Sequence, residues 1–296
     1  MQLSIVIVNY NSGDYLKNCL ESISKNKGFK DKINITVYDN GSTDNSLAFA
    51  RKFFPEVQYM GNHTNLGFAQ AVNNVIKSTK SEYILILNPD VVVFPMTINL
   101  MLKFMTENHN CGILGGEILN PSGFQQPTCR RFPNYFNVSF GRRSLARRIF
   151  PENVFSHQYL CLDLDYEKPQ KVDFVEGSLM MIRRKALEQV GLFDEDFFLY
   201  LEDADICYRI NKSGWDTWWL PEAYAIHYRG ENFRKDNIHP AMHHSKGFYT
   251  FFLKHYKPPT AVRILLKLLM TIRLIYVIST ESIKEVFCDI NFSPRN

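Results

Sequence analysis

Carboxylates and aromatic rings crowd the stretch Phe193-Asp194-Glu195-Asp196-Phe197-Phe198-Leu199-Tyr200, which runs on into Glu202-Asp203-Ala204-Asp205. Aromatic faces suit the C–H surfaces of sugars and carboxylates accept hydroxyl protons, so this is the pattern a sugar site requires. Acids at a helix start also complement the helix dipole, and that structural role stands beside the catalytic one. Asn88-Pro89-Asp90 follows the apolar run Tyr83 to Leu87 and would set a carboxylate at the carboxyl edge of a sheet. A divalent cation bridging two phosphates could be held there, although an Asp in such a turn also serves as a cap. Asp39-Asn40-Gly41-Ser42-Thr43-Asp44 offers amides and carboxylates to a base and ribose, and is equally a turn with an N-cap. Asn65-Leu66-Gly67-Phe68, with Asn73 beyond, reads as a glycine-hinged helix start suited to a phosphate or sugar contact. His227 closes an apolar strand and is either a core histidine or a metal ligand.

These residues need a scaffold, and the apolar pattern supplies one. Ser4 to Val8 is a continuous apolar run of the kind buried on both faces of a parallel sheet, and Asp14 to Ser24 has helical spacing at Tyr15, Leu16, Cys19, Leu20 and Ile23. The alternation continues with a strand over Ile33 to Tyr38, a helix over Ser46 to Phe54, a strand near Val57 to Met60, a helix over Ala69 to Lys77 and the strand Tyr83 to Leu87. Strands alternating with helices predict an α/β domain with a mainly parallel sheet whose ligand sits at the carboxyl ends of the strands. The middle, from about Asn120 to Lys171, loses periodicity and reads as loops and short helices laid over the site. Regular structure resumes over Val172 to Arg183, with helices over Lys185 to Val190 and Asp203 to Lys212, strands over Thr217 to Leu220 and Ala223 to His227, and helix from about His239 to the end.

The 296 residues, 45% hydrophobic and 22% charged, exclude disorder and allow one large domain or two smaller ones. A net charge of +4 is too small to make nucleic acid the expected partner. The six cysteines form no CxxC and no close pair, which argues against zinc and against a disulfide framework, and reads as reduced thiols in a cytoplasmic protein. The first apolar run lacks the basic flank of a signal peptide.

Taken in order, the segments Ser4 to Asn11, Asp39 to Asp44, Asn65 to Asn73, Leu87 to Asp90, Arg131-Phe132-Pro133, Gly177 to Arg183, Gly191 to Arg209, Gly214-Trp215 and Pro221 to His227 resemble a family 2 glycosyltransferase of the nucleotide-sugar-binding GT-A fold. The likeness is narrower still to the rhamnosyltransferase-like bacterial branch, and it covers roughly residues 1 to 230. It implies inverting transfer from a nucleoside-diphosphate sugar. By the resemblance, Tyr10, Asp39 and Asn40 line the base and ribose pocket, with Asn65, Gly67, Phe68, Asn88 and Gly177 along the rest of the nucleotide-sugar site. Asn88 and Asp90 stand where the family's D-x-D motif holds Mg²⁺ or Mn²⁺; the first position is Asn here, leaving one carboxylate fewer. His227 matches a position that completes the metal shell in some relatives. Asp203 matches the catalytic base, with Glu202 beside it.

The expected protein is thus a catalytic domain over residues 1–240 followed by a helical region over 241–296. It would act at the cytoplasmic face of the membrane on a lipid-linked saccharide of a surface polysaccharide or O-antigen, with L-rhamnose the favoured sugar and another hexose or galactofuranose the runner-up. A nucleotidyltransferase would need a basic, Gly-rich loop after the first strand, and Asn9-Tyr10-Asn11-Ser12-Gly13-Asp14 lacks the basic residue. A non-catalytic sugar-binding protein would not need Glu202-Asp203 and Asn88-Pro89-Asp90 together. At 100° per residue Arg263, Lys267, Thr271 and Arg273 fall on one side of the tail helix Ala261 to Ser279. That predicts a basic amphipathic helix in a membrane interface, helped by Arg142, Arg143, Arg147 and Arg148, with a packing helix as the alternative.

Overall fold

A computed structural model describes residues 2–26, 33–137, 149–150, 154–228 and 238–290, with backbone alone at 277 and 280–290. Four strands open the chain: β1 (Leu3–Asn9), β2 (Ile33–Asn40), β3 (Gln58–Asn62) and β4 (Tyr83–Leu87). They alternate with α1 (Tyr15–Ser24), α2 (Ser46–Phe53) and α3 (Phe68–Ser78). All pair in parallel, with Leu3 opposite both Ile33 and Tyr83. The next three elements, β5 (Val91–Val93), α4 (Thr97–Glu107) and β6 (Cys111–Leu119), lie in a stretch for which the sequence pattern predicted no element. Then come β7 (Cys129–Arg130), α5 (Val154–Tyr159), β8 (Gln170–Lys171), β9 (Phe174–Val175), β10 (Leu179–Arg183), α6 (Arg184–Val190), α7 (Glu202–Lys212), β11 (Asp216–His227), α8 (Ile238–Tyr256) and α9 (Thr260–Ile290).

The main sheet runs β3-β2-β1-β4-β10-β6-β11-β5, with β8 also on β11, and β7 pairs with β9 separately. It is mixed but mainly parallel: β10 runs against β4 and β6, and β5 and β8 run against β11. The two strands expected near the end of the catalytic stretch are one, β11, whose register on β6 shifts between Leu220 and Tyr224.

β1 is buried along its whole length, and its alternate residues face two cores. Leu3, Ile5 and Ile7 pack with Leu16 and Leu20 of α1 and Met101 and Met105 of α4. Val6 and Val8 face Val72 and Ile76 of α3, Ile206 of α7 and Phe251 of α8. A sheet covered by helices on both faces demands continuous apolar strands, and this is why the sequences of β1 and β4 do not alternate. Gly116 of β6 is required by crowding, since a Cβ there would collide with the Ala223 carbonyl.

Candidate active site

The carboxyl edge of the sheet gathers the polar strand ends. Asn9, fully buried at the end of β1, donates through Nδ2 to Asp39 Oδ1 (2.7 Å), Ser42 Oγ (3.1 Å) and Ser46 Oγ (2.9 Å). Asp39 also accepts from the Ser42 backbone N–H, while Tyr10 beside Asn9 leaves its ring 38% exposed. Asn40 spends its amide on the neighbouring loop: Nδ2 donates to Asn65 Oδ1 and the Gly67 carbonyl, and Oδ1 accepts from Leu66 N–H. Gly67 has φ +86°, and a Cβ there would lie 2.7 Å from the Phe198 carbonyl, which itself accepts the Phe68 N–H at 2.7 Å. Asn73 grips Phe193 through both its amide ends and donates to Glu195 Oε1 (2.9 Å). The Asn65–Asn73 segment therefore holds the 193–200 loop in place.

Asp90 and His227 are far apart in sequence and adjacent in space. The antiparallel pairing of β5 with β11 sets Val91 opposite His227, and this brings His227 Nε2 within 3.1 Å of Asp90 Oδ1. His227 is buried, and its Nδ1 has no hydrogen-bond partner among the described residues. A carboxylate oxygen suits Mg²⁺ or Mn²⁺ and an imidazole nitrogen suits the transition metal, so the pair fits Mn²⁺ better than Mg²⁺. Among the described residues no group of three or more His, Cys, Asp or Glu side chains is arranged to hold a metal, so the remaining positions would fall to phosphate oxygens and water.

Gly177 and Ser178 connect this corner to the acidic helix. Asn88 N–H donates to the Ser178 carbonyl (3.1 Å), and Gly177 N–H donates to Asp203 Oδ2 (3.2 Å). A Cβ on Gly177 would stand 3.8 Å from the Asp203 Cβ and 3.9 Å from the Phe68 ring, so glycine leaves space between that ring and the carboxylate. Leu201, at φ +69°, turns the chain into α7, and the Ala204 N–H donates to Asp203 Oδ1 (2.8 Å). Burial and the charge of Glu176 push the Asp203 carboxyl up to about 6, against the two backbone N–H groups and Arg130 that pull it down. Burial raises Glu202 well above the usual carboxylate range, and one of its oxygens has no partner among the described residues.

Asp205 does something different. Fully buried, it meets Lys254 Nζ at 2.7 Å, Arg209 Nε at 2.8 Å and His255 Nε2 at 2.8 Å. These partners hold its carboxyl below the usual range despite burial. Asp205 therefore anchors α8 to α7. Sequence reasoning missed this anchor, and it also missed the buried Arg130–Glu176 pair (2.8 Å), which the β7–β9 pairing aligns beside Asp203. The signals for Arg130 were the basic pair Arg130-Arg131 and its place before Phe132-Pro133.

The site can thus place a divalent cation at one corner and take a proton at another. The chain belongs to glycosyl transferase family 2, which it matches over residues 4–191. The N-acetylglucosaminyl-diphospho-decaprenol L-rhamnosyltransferase of Mycobacterium tuberculosis is 30% identical to it over 262 residues, 84% of this chain and 83% of that protein. Rhamnosyltransferase WbbL of Escherichia coli K12 is 25% identical over 236 residues, 76% of this chain and 82% of that one. Among solved structures, the mannosyltransferase PcManGT from Pyrobaculum calidifontis, in complex with GDP-Man and Mn²⁺, aligns over 99% of this chain and 76% of its own. The TM-score is 0.60 at 16% identity, a likeness of fold, and that fold is GT-A-like.

Proposed function

We propose that this glycosyltransferase is inverting and metal-dependent, and that it moves L-rhamnose from dTDP-L-rhamnose to a lipid-linked saccharide in bacterial surface polysaccharide or O-antigen synthesis. It would work as a peripheral protein at the cytoplasmic face of the membrane. Residues 1–240 would carry the chemistry and residues 241–296 would buttress it. The observation that carries the reading is Asp203, a half-buried carboxylate oriented by two backbone N–H groups and raised to about 6. That value keeps it ionised at neutral pH yet basic enough to accept the acceptor hydroxyl's proton. The names of the two rhamnosyltransferases support the sugar, and the Mycobacterium protein's name supports a polyprenyl-diphosphate acceptor.

On this reading Asp203 takes the proton while the hydroxyl oxygen attacks the anomeric carbon from the face opposite the departing diphosphate. Asp90 and His227 would hold Mg²⁺ or Mn²⁺, which when bound neutralises charge on the leaving diphosphate. Tyr10 and Asp39 stand at the β1 and β2 ends for the base and ribose, and Gly177 leaves room beside Phe68 for the sugar. A screen of nucleoside-diphosphate sugars with the purified protein and Mn²⁺, scored by nucleoside-diphosphate release, tests the donor. Preferential turnover of dTDP-L-rhamnose supports the reading, and preference for a hexose or galactofuranose donor replaces the sugar. Full turnover in excess EDTA contradicts the metal.

A further inference from the structure

Helix α9 has two apolar faces. Val262, Leu266 and Met270 turn toward α8, where Leu266 and Met270 are buried in the core that includes Phe248, Phe251 and Phe252. Arg273 points the same way, donating to Ser245 Oγ (3.0 Å) and reaching His244. The basic stripe expected from the sequence is therefore split, because Arg273 is spent on α8 and only Arg263 and Lys267 stand at the surface. The four arginines expected to help, Arg142, Arg143, Arg147 and Arg148, lie outside the described residues.

The other face is aliphatic and open. Ile264, Leu265, Leu268, Leu269, Ile272 and Ile275 are 38–66% exposed, a continuous stripe of about 17 Å along the helix at 1.5 Å per residue. Patches of this kind on a folded protein mark an interaction surface. No helix among the described residues is long and apolar enough to cross a membrane, so the stripe does not belong to a spanning segment.

We infer that this face lies in the plane of an anionic bilayer surface, with the six aliphatic side chains entering the acyl boundary. Charge favours lipid over protein. From Thr260 to Thr280 there is no acidic residue, while exposed Arg263 and Lys267 flank the aliphatic side, where anionic headgroups complement them. A second copy of the chain would instead set like charges together.

The placement also orders the site relative to the membrane. α8 lies between α9 and the acidic loop, with His243 stacked on Phe198 (4.7 Å) and Lys254 and His255 on Asp205. The packed helix pair sets the docking face one helix layer, about 10 Å, beyond α8. This surface deepens the proposed use of a lipid-linked acceptor by assigning the side from which that acceptor arrives, but membrane binding itself stands without it.

The test is co-sedimentation of the full chain with vesicles of phosphatidylglycerol and phosphatidylcholine or of phosphatidylcholine alone. It compares wild type with a Leu265→Glu/Leu268→Glu/Ile272→Glu variant and an Arg263→Gln/Lys267→Gln variant. Circular dichroism confirms folding, light scattering gives the mass, and turnover on a water-soluble acceptor analogue is read in parallel. The inference predicts binding to anionic vesicles that falls at least tenfold in the triple variant and severalfold, at low salt only, in the double variant, with soluble-acceptor turnover unchanged. Equal vesicle binding by wild type and the triple variant overturns it. So does a wild type that binds no vesicle and is a dimer the triple variant dissolves. Loss of soluble-acceptor turnover in the wild type would instead strike at the proposed reaction and leave the vesicle result standing.

Discussion

At the scale of single residues, two neighbouring carboxyls have been given different states by their surroundings. Glu202 is buried, with one oxygen unpartnered among the described residues, and burial pushes it well above the usual carboxylate range, whereas Asp203 is raised to about 6. Glu202→Gln keeps the shape of a side chain whose anion burial disfavours and should retain turnover within about tenfold of wild type, while Asp203→Asn should lose roughly a hundredfold or more at unchanged donor affinity. Because the folded-state value of Asp203 lies above its ordinary 3.8, the native state binds the extra proton between those pH values, and stability falls as pH rises through that window. Asp203→Asn should accordingly lose this fall, its melting temperature staying flatter than that of wild type between about pH 4 and 6. Glu176 is the charge that raises Asp203 most, so Glu176→Gln should move the acid limb of the kcat/KM profile below pH 6. An unmoved limb in that variant would mean that another group titrates.

At the scale of elements, the first half of the sheet was legible because β1 and β4 are nearly continuous apolar runs, and β2 alternates Ile33, Ile35 and Val37 with polar residues, each stopping at polar groups. The stretch holding β5, α4 and β6 was not. β6 carries Gly112, Gly115 and Gly116, which weaken a strand signal and are there because Trp215, Val175 and Ala223 crowd against them. Asp90 was legible as a candidate ligand, but its proximity to His227 follows from the β5–β11 register, which no local pattern encodes. The tail helix was legible as amphipathic, yet its faces were not, since α8 decides which side of α9 is buried. Asp205 was legible only as one acid among several. Its three partners come from α7 and α8, and removing it would take the shared carboxylate from Arg209 and His255 and leave Lys254 with Asp194 alone. Asp205→Ala should cost about 3–5 kcal/mol in denaturant unfolding and loosen α8 from α7. A loss near 1 kcal/mol would mean that the apolar contacts of Phe251 and Phe252 hold the helix unaided.

At the scale of the whole molecule, the proposed reading puts a nucleotide end at β1 and β2, a cation corner at Asp90 and His227, and a proton-accepting corner at Asp203 along one sheet edge, with α8 and α9 stacked behind the last. Family membership establishes the enzyme class, and the roles of these residues belong to the proposal. The most direct test is the metal-supported turnover of dTDP-L-rhamnose onto a polyprenyl-diphosphate saccharide by wild type and by Asp203→Asn, measured side by side at saturating donor. The account predicts transfer with inverted anomeric configuration by the wild type and a roughly hundredfold or greater loss in the variant. Near wild-type transfer by Asp203→Asn, or a product of retained configuration, would contradict it.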